Sequence, residues 1–183
     1  ADHLAPSLTG EKHLSYAVTE ADAGSDPSGI ATIARRDGDD WIINGEKWFV
    51  TSGDHASSHI VVARTSDDPD NPGTTLFIVP ADAPGVRTVE DPLFTHNYGD
   101  GHPTIAFEDV RVPGGAILGG VGEADELTNE WFVEERIHIA ARCAGSVTPI
   151  TIRVPGTRRP GAVRNRSSVA RFQVRFDALS AGE

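Results

Sequence analysis

The sequence predicts a mainly β protein, an antiparallel barrel or sandwich followed by one α-helix and an irregular tail. Three observations lead there. From Leu14 to Leu118, short apolar segments alternate with turn clusters every 8–12 residues or so, about the rhythm of stacked or closed antiparallel strands. From residue 123 to 144 the apolar period becomes that of a helix. After Ser146 periodicity is lost, and prolines and arginines scatter through the chain.

Taken in order, Tyr16-Ala17-Val18 reads as the end of a strand that runs into the small-residue loop Ala23-Gly24-Ser25-Asp26. Residues 29–36 alternate and stop at Asp37-Gly38-Asp39-Asp40. Trp41-Ile42-Ile43 then meets Asn44-Gly45, a dipeptide favoured in two-residue hairpin loops, so a hairpin is expected there. Residues 59–66 and 75–80 read as buried strands around a polar loop, and residues 103–113 supply the last strands. In the helix, Val133, Ile137, Ala140 and Ala144 share one stripe, with Phe132, Ile139 and Cys143 beside it. The rest of the chain offers that face no good partner.

Composition sets the outer limits. The 183 residues suit one domain or slightly more, and they include no methionine, so a piece of a longer or processed protein is expected. There is no run of eighteen apolar residues, and the first residues lack the basic and apolar regions of a signal peptide. With a single cysteine, Cys143, this leads to the expectation of a cytoplasmic protein that does not enter a membrane. The net charge of −11 divides unevenly: residues 1–144 carry 25 acidic and 9 basic groups, residues 145–183 only 2 acidic and 7 basic. An acidic body argues against nucleic acid as the partner, because phosphate binding draws on clustered Lys and Arg. The seven histidines show no helical i, i+4 pair, so no metal site is expected.

Three groups of residues could carry chemistry. The first is the rim formed by Thr19 and the loop around Gly24 and Ser25. Small side chains let the backbone approach a phosphate or a flavin edge, and short hydroxyls complete the hydrogen bonds. A plain strand–turn with an Asx-type cap explains the same residues. The second is Phe49 with Thr51, which in an extended strand share a face with Lys47 and set an aromatic plane beside a hydroxyl. The alternative places Phe49 in the core and Thr51 as a strand-end cap. The third is Arg136, near the centre of the helix's apolar arc, with Glu135 at its rim. A cation facing a core binds an anion or closes a structural salt bridge.

Four segments, in order, resemble the acyl-CoA dehydrogenase family: YAVTEADAGSD (Tyr16–Asp26), INGEKWFVTSG (Ile43–Gly53), FEDVRVP (Phe107–Pro113) and ERIHIAARCAG (Glu135–Gly145). The resemblance implies that residues 14–122 form the family's middle β domain and that 123–146 are the first helix of a truncated C-terminal helical domain. Residues 1–13 would be a remnant or linker from a missing N-terminal helical domain, and 147–183 a divergent, disordered or frame-shifted basic tail. The implied activity is FAD-dependent α,β-dehydrogenation of an acyl-CoA thioester, with electron-transfer flavoprotein or a similar acceptor as partner and a homo-oligomeric full-length enzyme. By the same resemblance Tyr16, Val18, Thr19, Gly24, Ser25, Phe49 and Thr51 contact the cofactor, Ser25 and Arg136 the substrate, and Glu135 stands where some members keep the catalytic base. Ala21-Asp22 replaces the usual Pro-Gly, so Asp22 must point to solvent to avoid anionic phosphates. A non-catalytic β-domain fragment and a flavin-dependent oxidase or monooxygenase are the alternatives.

Overall fold

The computed structural model of the chain describes residues 3–66, 73–95 and 99–147, without the side chains of 146 and 147. Helix α1 (Leu4–Leu8) precedes β1 (Leu14–Ala17), β2 (Ile33–Asp37), β3 (Asp40–Lys47), β4 (Ser58–Arg64), β5 (Thr74–Pro80), β6 (Val86–Glu90), β7 (Thr104–Pro113) and β8 (Ile117–Leu118), and helix α2 (Ala124–Val147) follows. Residues 148–183, expected to be an irregular tail, lie outside the described residues.

The strands join in the order β6-β7-β3-β2-β4-β5-β8, with β1 attached to β4. Most pairs are antiparallel, as expected, but β1 runs parallel to β4, with Tyr16 opposite Ile60. The two halves meet at a single bridge, Ile33 to Arg64, and fold toward each other there. Trp41 of β3 consequently packs on Phe77 of β5, with ring centroids 5.5 Å apart. Ile43, Val61, Val79, Ile105, Phe107, Val110 and Val112 fill the space between the halves. Such burial is the main favourable term, about 1.5–3 kcal/mol for each large apolar side chain.

Strands β1, β4 and β5 are covered on both faces. Their odd-numbered residues, Ala17, Val61, Ala63, Phe77 and Val79, enter the barrel core. The even-numbered Val62 and Leu76 join Ala23, Ile30 and Ala124 in a second cluster, against which Tyr16, Val18, Ile60 and Leu127 pack. Buried strands of this kind read as continuous apolar runs, which is why residues 59–66 and 75–80 were legible.

Asn44-Gly45 is no hairpin. Both residues lie inside β3, and the turn is at Gly38-Asp39, where β2 pairs with β3 through Asp37 and Asp40. The register between β3 and β7 shifts between Ile43 and Gly45, a bulge that gives β7 one extra residue. Asp109 adopts φ 49° there, and Asn44 Oδ1 accepts its N–H at 2.9 Å. The shift changes phase, so Phe107 and Val110 both face inward. Gly45 is demanded by crowding, since a Cβ would come within 2.7 Å of Thr32 Cα.

Helix α2 departs from expectation as well. It is seated through Ala124, Leu127 and Thr128, while Val133, Ile137 and Ile139 of the predicted stripe are more than half exposed. Only its first turns cross β5; the apolar arc continues past the sheet without a partner among the described residues.

Candidate functional site

Val18, Thr19 and Glu20 prolong β1 beside the end of β3. The Trp48 N–H donates to the Thr19 carbonyl at 2.8 Å. Lys47 Nζ donates to the Val18 carbonyl at 2.9 Å and to Glu20 Oε1 at 2.7 Å. The Glu20 carboxylate also accepts the N–H groups of Ala31 at 2.6 Å and Thr32 at 3.0 Å. Lys47 is wholly buried and Glu20 nearly so. Desolvation pulls the Lys47 ammonium down to about 8 against the opposing pull of Glu20. Burial pushes the Glu20 carboxyl up, but the charge and hydrogen bonds of Lys47 and the Ala31 N–H outweigh it and hold it below its usual range. The pair therefore stays ionised at neutral pH and ties the first loop to β3. Sequence reasoning missed it, because Glu and Lys ordinarily read as solvated.

Beyond Lys47 the chain leaves the strand conformation. Phe49 has φ 52° and is 51% exposed, whereas Val50 is fully buried. The expected shared face of Lys47, Phe49 and Thr51 does not form: Lys47 points inward and Phe49 outward, since the left-handed backbone breaks the alternation. Phe49 and Thr51 remain adjacent at the surface. The Val50 N–H donates to Pro103 O at 3.0 Å and the Ser52 N–H to Gly101 O at 2.9 Å, so residues 50–52 lie along 101–103. Thr51 Oγ1 sits 3.1 Å from His102 Nδ1. The edge thus carries an outward aromatic ring, the Thr51 hydroxyl and, one strand away, half-buried Val18 and Thr19. The Thr19 hydroxyl makes no hydrogen bond among the described residues.

The remaining sequence candidates lie elsewhere. Tyr16 faces α2, stacked on Trp131 at 4.7 Å, with Oη 2.7 Å from Thr128 Oγ1. Burial raises its pKa, opposed by the Thr128 bond. Gly24 and Ser25 are exposed on the loop, as is Asp22, so no carboxylate is driven into the site from there. A cleft of about 320 Å³ opens between this loop, β4, β5 and α2; Val18, Ser28, Val62, Arg64, Thr128 and Phe132 are among its walls. Arg136 is not in a core. It is exposed, its guanidinium 5.7 Å from the Phe132 ring centroid, because the arc it was placed on faces away from the sheet. Glu135 is half-buried beside it. Among the described residues no group of three or more His, Cys, Asp or Glu could hold a metal, and no helix is long and apolar enough to cross a membrane.

A flat ring fits the residues at the edge: an aromatic side chain held outward at a backbone cost, hydroxyls on both adjoining segments, one of them unpartnered. Fold and edge together define a β domain that carries part of a ligand site on two strand ends. The chain belongs to the acyl-CoA dehydrogenase family, whose middle-domain model it matches over residues 15–110. It is 35% identical over 145 residues to cyclohexane-1-carbonyl-CoA dehydrogenase of Syntrophus aciditrophicus, a match covering 79% of this chain and 38% of that protein. A probable acyl-CoA dehydrogenase from Mycobacterium abscessus superposes with a TM-score of 0.76 at 29% identity, covering 80% of this chain and 39% of that one. A glutaryl-CoA dehydrogenase from Mycobacterium smegmatis, solved in complex with FADH2, gives 0.58 at 34% identity, covering 63% and 29%. The chain thus spans about two-fifths of the length of such relatives.

Proposed function

We propose that this chain forms the cofactor-facing β portion of an FAD-dependent acyl-CoA dehydrogenase, which introduces an α,β double bond into an acyl-CoA thioester. The observation that carries the reading is the Lys47 ammonium bonded to both Val18 O and Glu20, which aligns the Val18–Thr19 segment with the Phe49–Thr51 segment. FAD, when bound, accepts the hydride from the β-carbon. Thr19 and Thr51 offer hydroxyls to its ring, the exposed Phe49 side chain packs against it, and the Tyr16–Val18 backbone lines the approach. Gly24 and Ser25, unhindered at the loop, are placed for phosphate or the CoA arm. Arg136 attracts the anionic CoA portion, and Glu135 removes the α-proton as general base. Electron-transfer flavoprotein or a similar acceptor, a homo-oligomeric longer enzyme and a cytoplasmic location complete the proposal.

The test is a titration of the purified chain with FAD, followed by absorbance near the flavin band at about 450 nm and then by anaerobic addition of acyl-CoA. Saturable binding and bleaching by acyl-CoA support the reading. Binding with no bleaching favours the non-catalytic fragment, and bleaching only with oxygen turnover favours the oxidase. No binding even at high FAD concentration overturns the assignment of this edge.

A further inference from the structure

Thr51 holds the most exposed hydroxyl of the candidate edge, and its one partner is an imidazole with a rigid mounting. The His102 N–H donates to Asp91 Oδ1 at 3.1 Å, and the preceding Gly101 N–H donates to Asp54 Oδ1 at 3.2 Å. The Phe94 ring meets the imidazole edge-on, centroids 4.9 Å apart. A Cβ at Gly101 would lie 2.5 Å from Asp91 Oδ2, so this backbone is already close-packed against the 91–94 segment. The ladder from Val50 to Pro103 and Ser52 to Gly101 then presents Nδ1 to Thr51 Oγ1 at 3.1 Å.

A hydroxyl has one proton and two lone pairs. With Nδ1 unprotonated, Thr51 gives its proton to the imidazole and presents lone pairs outward. With Nδ1 protonated, the imidazole donates and the Thr51 proton is free for an acceptor on the ligand. We propose that His102 is a positioning residue for Thr51: it holds the hydroxyl at the edge and lets it act as donor or acceptor toward the bound ring. The proposal rests on the reading of that edge as a flavin site. A flavin ring nitrogen that accepts a hydrogen bond when oxidised carries a proton and donates when reduced, so a reversible partner satisfies both states without moving the backbone. Histidine suits the task because its two tautomers exchange donor and acceptor roles at Nδ1.

The experiment is a double-mutant cycle on the FAD-loaded chain, using His102→Ala, Thr51→Val and both together, with His102→Asn as the conservative variant. Dissociation constant and flavin reduction potential are read for each. His102→Ala should weaken FAD binding about tenfold and shift the potential. In the Thr51→Val background it should add less than a factor of about two. His102→Asn, which keeps a polar group near Nδ1, should restore most of the parental potential. Equal effects of His102→Ala with and without the Thr51 hydroxyl, or no effect at all, overturn the proposal. Long-range ¹H–¹⁵N spectra of the ligand-free protein give an independent reading. Thr51→Val should move the His102 Nδ1 resonance, and an unmoved resonance also overturns it. If the parent chain takes up no FAD, the flavin reading falls and this proposal with it. If the parent binds FAD and His102→Ala binds it identically, only this proposal falls.

Discussion

Lys47 and Glu20 form a buried ion pair, 2.7 Å between Nζ and Oε1, at the junction of the first loop and the third strand. The carboxylate has four hydrogen-bond sites and uses three of them, two on backbone N–H groups of residues 31 and 32. The pair accordingly organises backbone, and the segment it organises is the one that carries Val18 and Thr19.

Removing one partner should therefore be costly. Lys47→Met leaves Glu20 charged and desolvated, and we expect a loss of about 3–5 kcal/mol in urea unfolding at pH 7. The double variant Glu20→Gln/Lys47→Met should recover at least half of that, because no bare charge remains. A double variant no more stable than the single one would show that the pair is not the source of the cost.

Strand β4 contributes a second buried titratable group. His59 is 1% exposed, its Nδ1 lies 2.7 Å from Ser15 Oγ, and burial depresses its pKa to about 4. The folded value lies below the unfolded one, so between about pH 6.5 and 4 the unfolded chain binds more protons and stability falls as pH falls. At most about 1.4 kcal/mol is lost per pH unit across that window. Urea midpoints at pH 7 and pH 5 should differ less for His59→Gln than for the parent; equal differences would count against the assignment.

Phe49→Gly separates stability from binding. Glycine accepts φ 52° at no steric cost, so thermal stability should hold or rise, by up to about 1 kcal/mol. The same change removes the exposed ring, and FAD affinity should drop at least about tenfold. A stability loss with binding unchanged would reverse the roles given to this residue.

Along α2 the prediction is a contrast between two faces. Trp131 stacks on Tyr16, and Trp131→Ala should cost about 0.5–1.5 kcal/mol. Ile139 is 54% exposed, and Ile139→Ser should stay within about 0.5 kcal/mol. Calorimetry of the two variants decides it; a larger loss at Ile139 would place the seated face wrongly.

Much of this architecture was legible in the order of residues. Apolar runs gave the central strands, and the change of period at residue 123 gave the helix that begins at Ala124. Strand β6 was not found, since of its five residues only Val86 packs against the core and the other four are exposed. Asn44-Gly45 misled because the chemistry that suits a tight turn also suits a bulge, and only the partner strand distinguishes them. The site was legible as a set of residues and not as a geometry. An alternation argument presumes extended backbone, and the left-handed turn at Phe49 invalidates it locally. His102 left no signal, since its relation to Thr51 exists only through the ladder that joins two distant segments.

The parity of β1, β4 and β5 has a consequence for how such a domain can diversify. Odd positions answer to the interior of the barrel, and even positions such as Val18, Val62, Arg64 and Thr74 line the cleft beneath α2. Two selective pressures therefore act on the same three strands through separate sets of side chains. Successive generations can recut the cleft for a different acyl group at even positions while the odd ones keep the scaffold unchanged. Heritable change in one property need not be a compromise with the other.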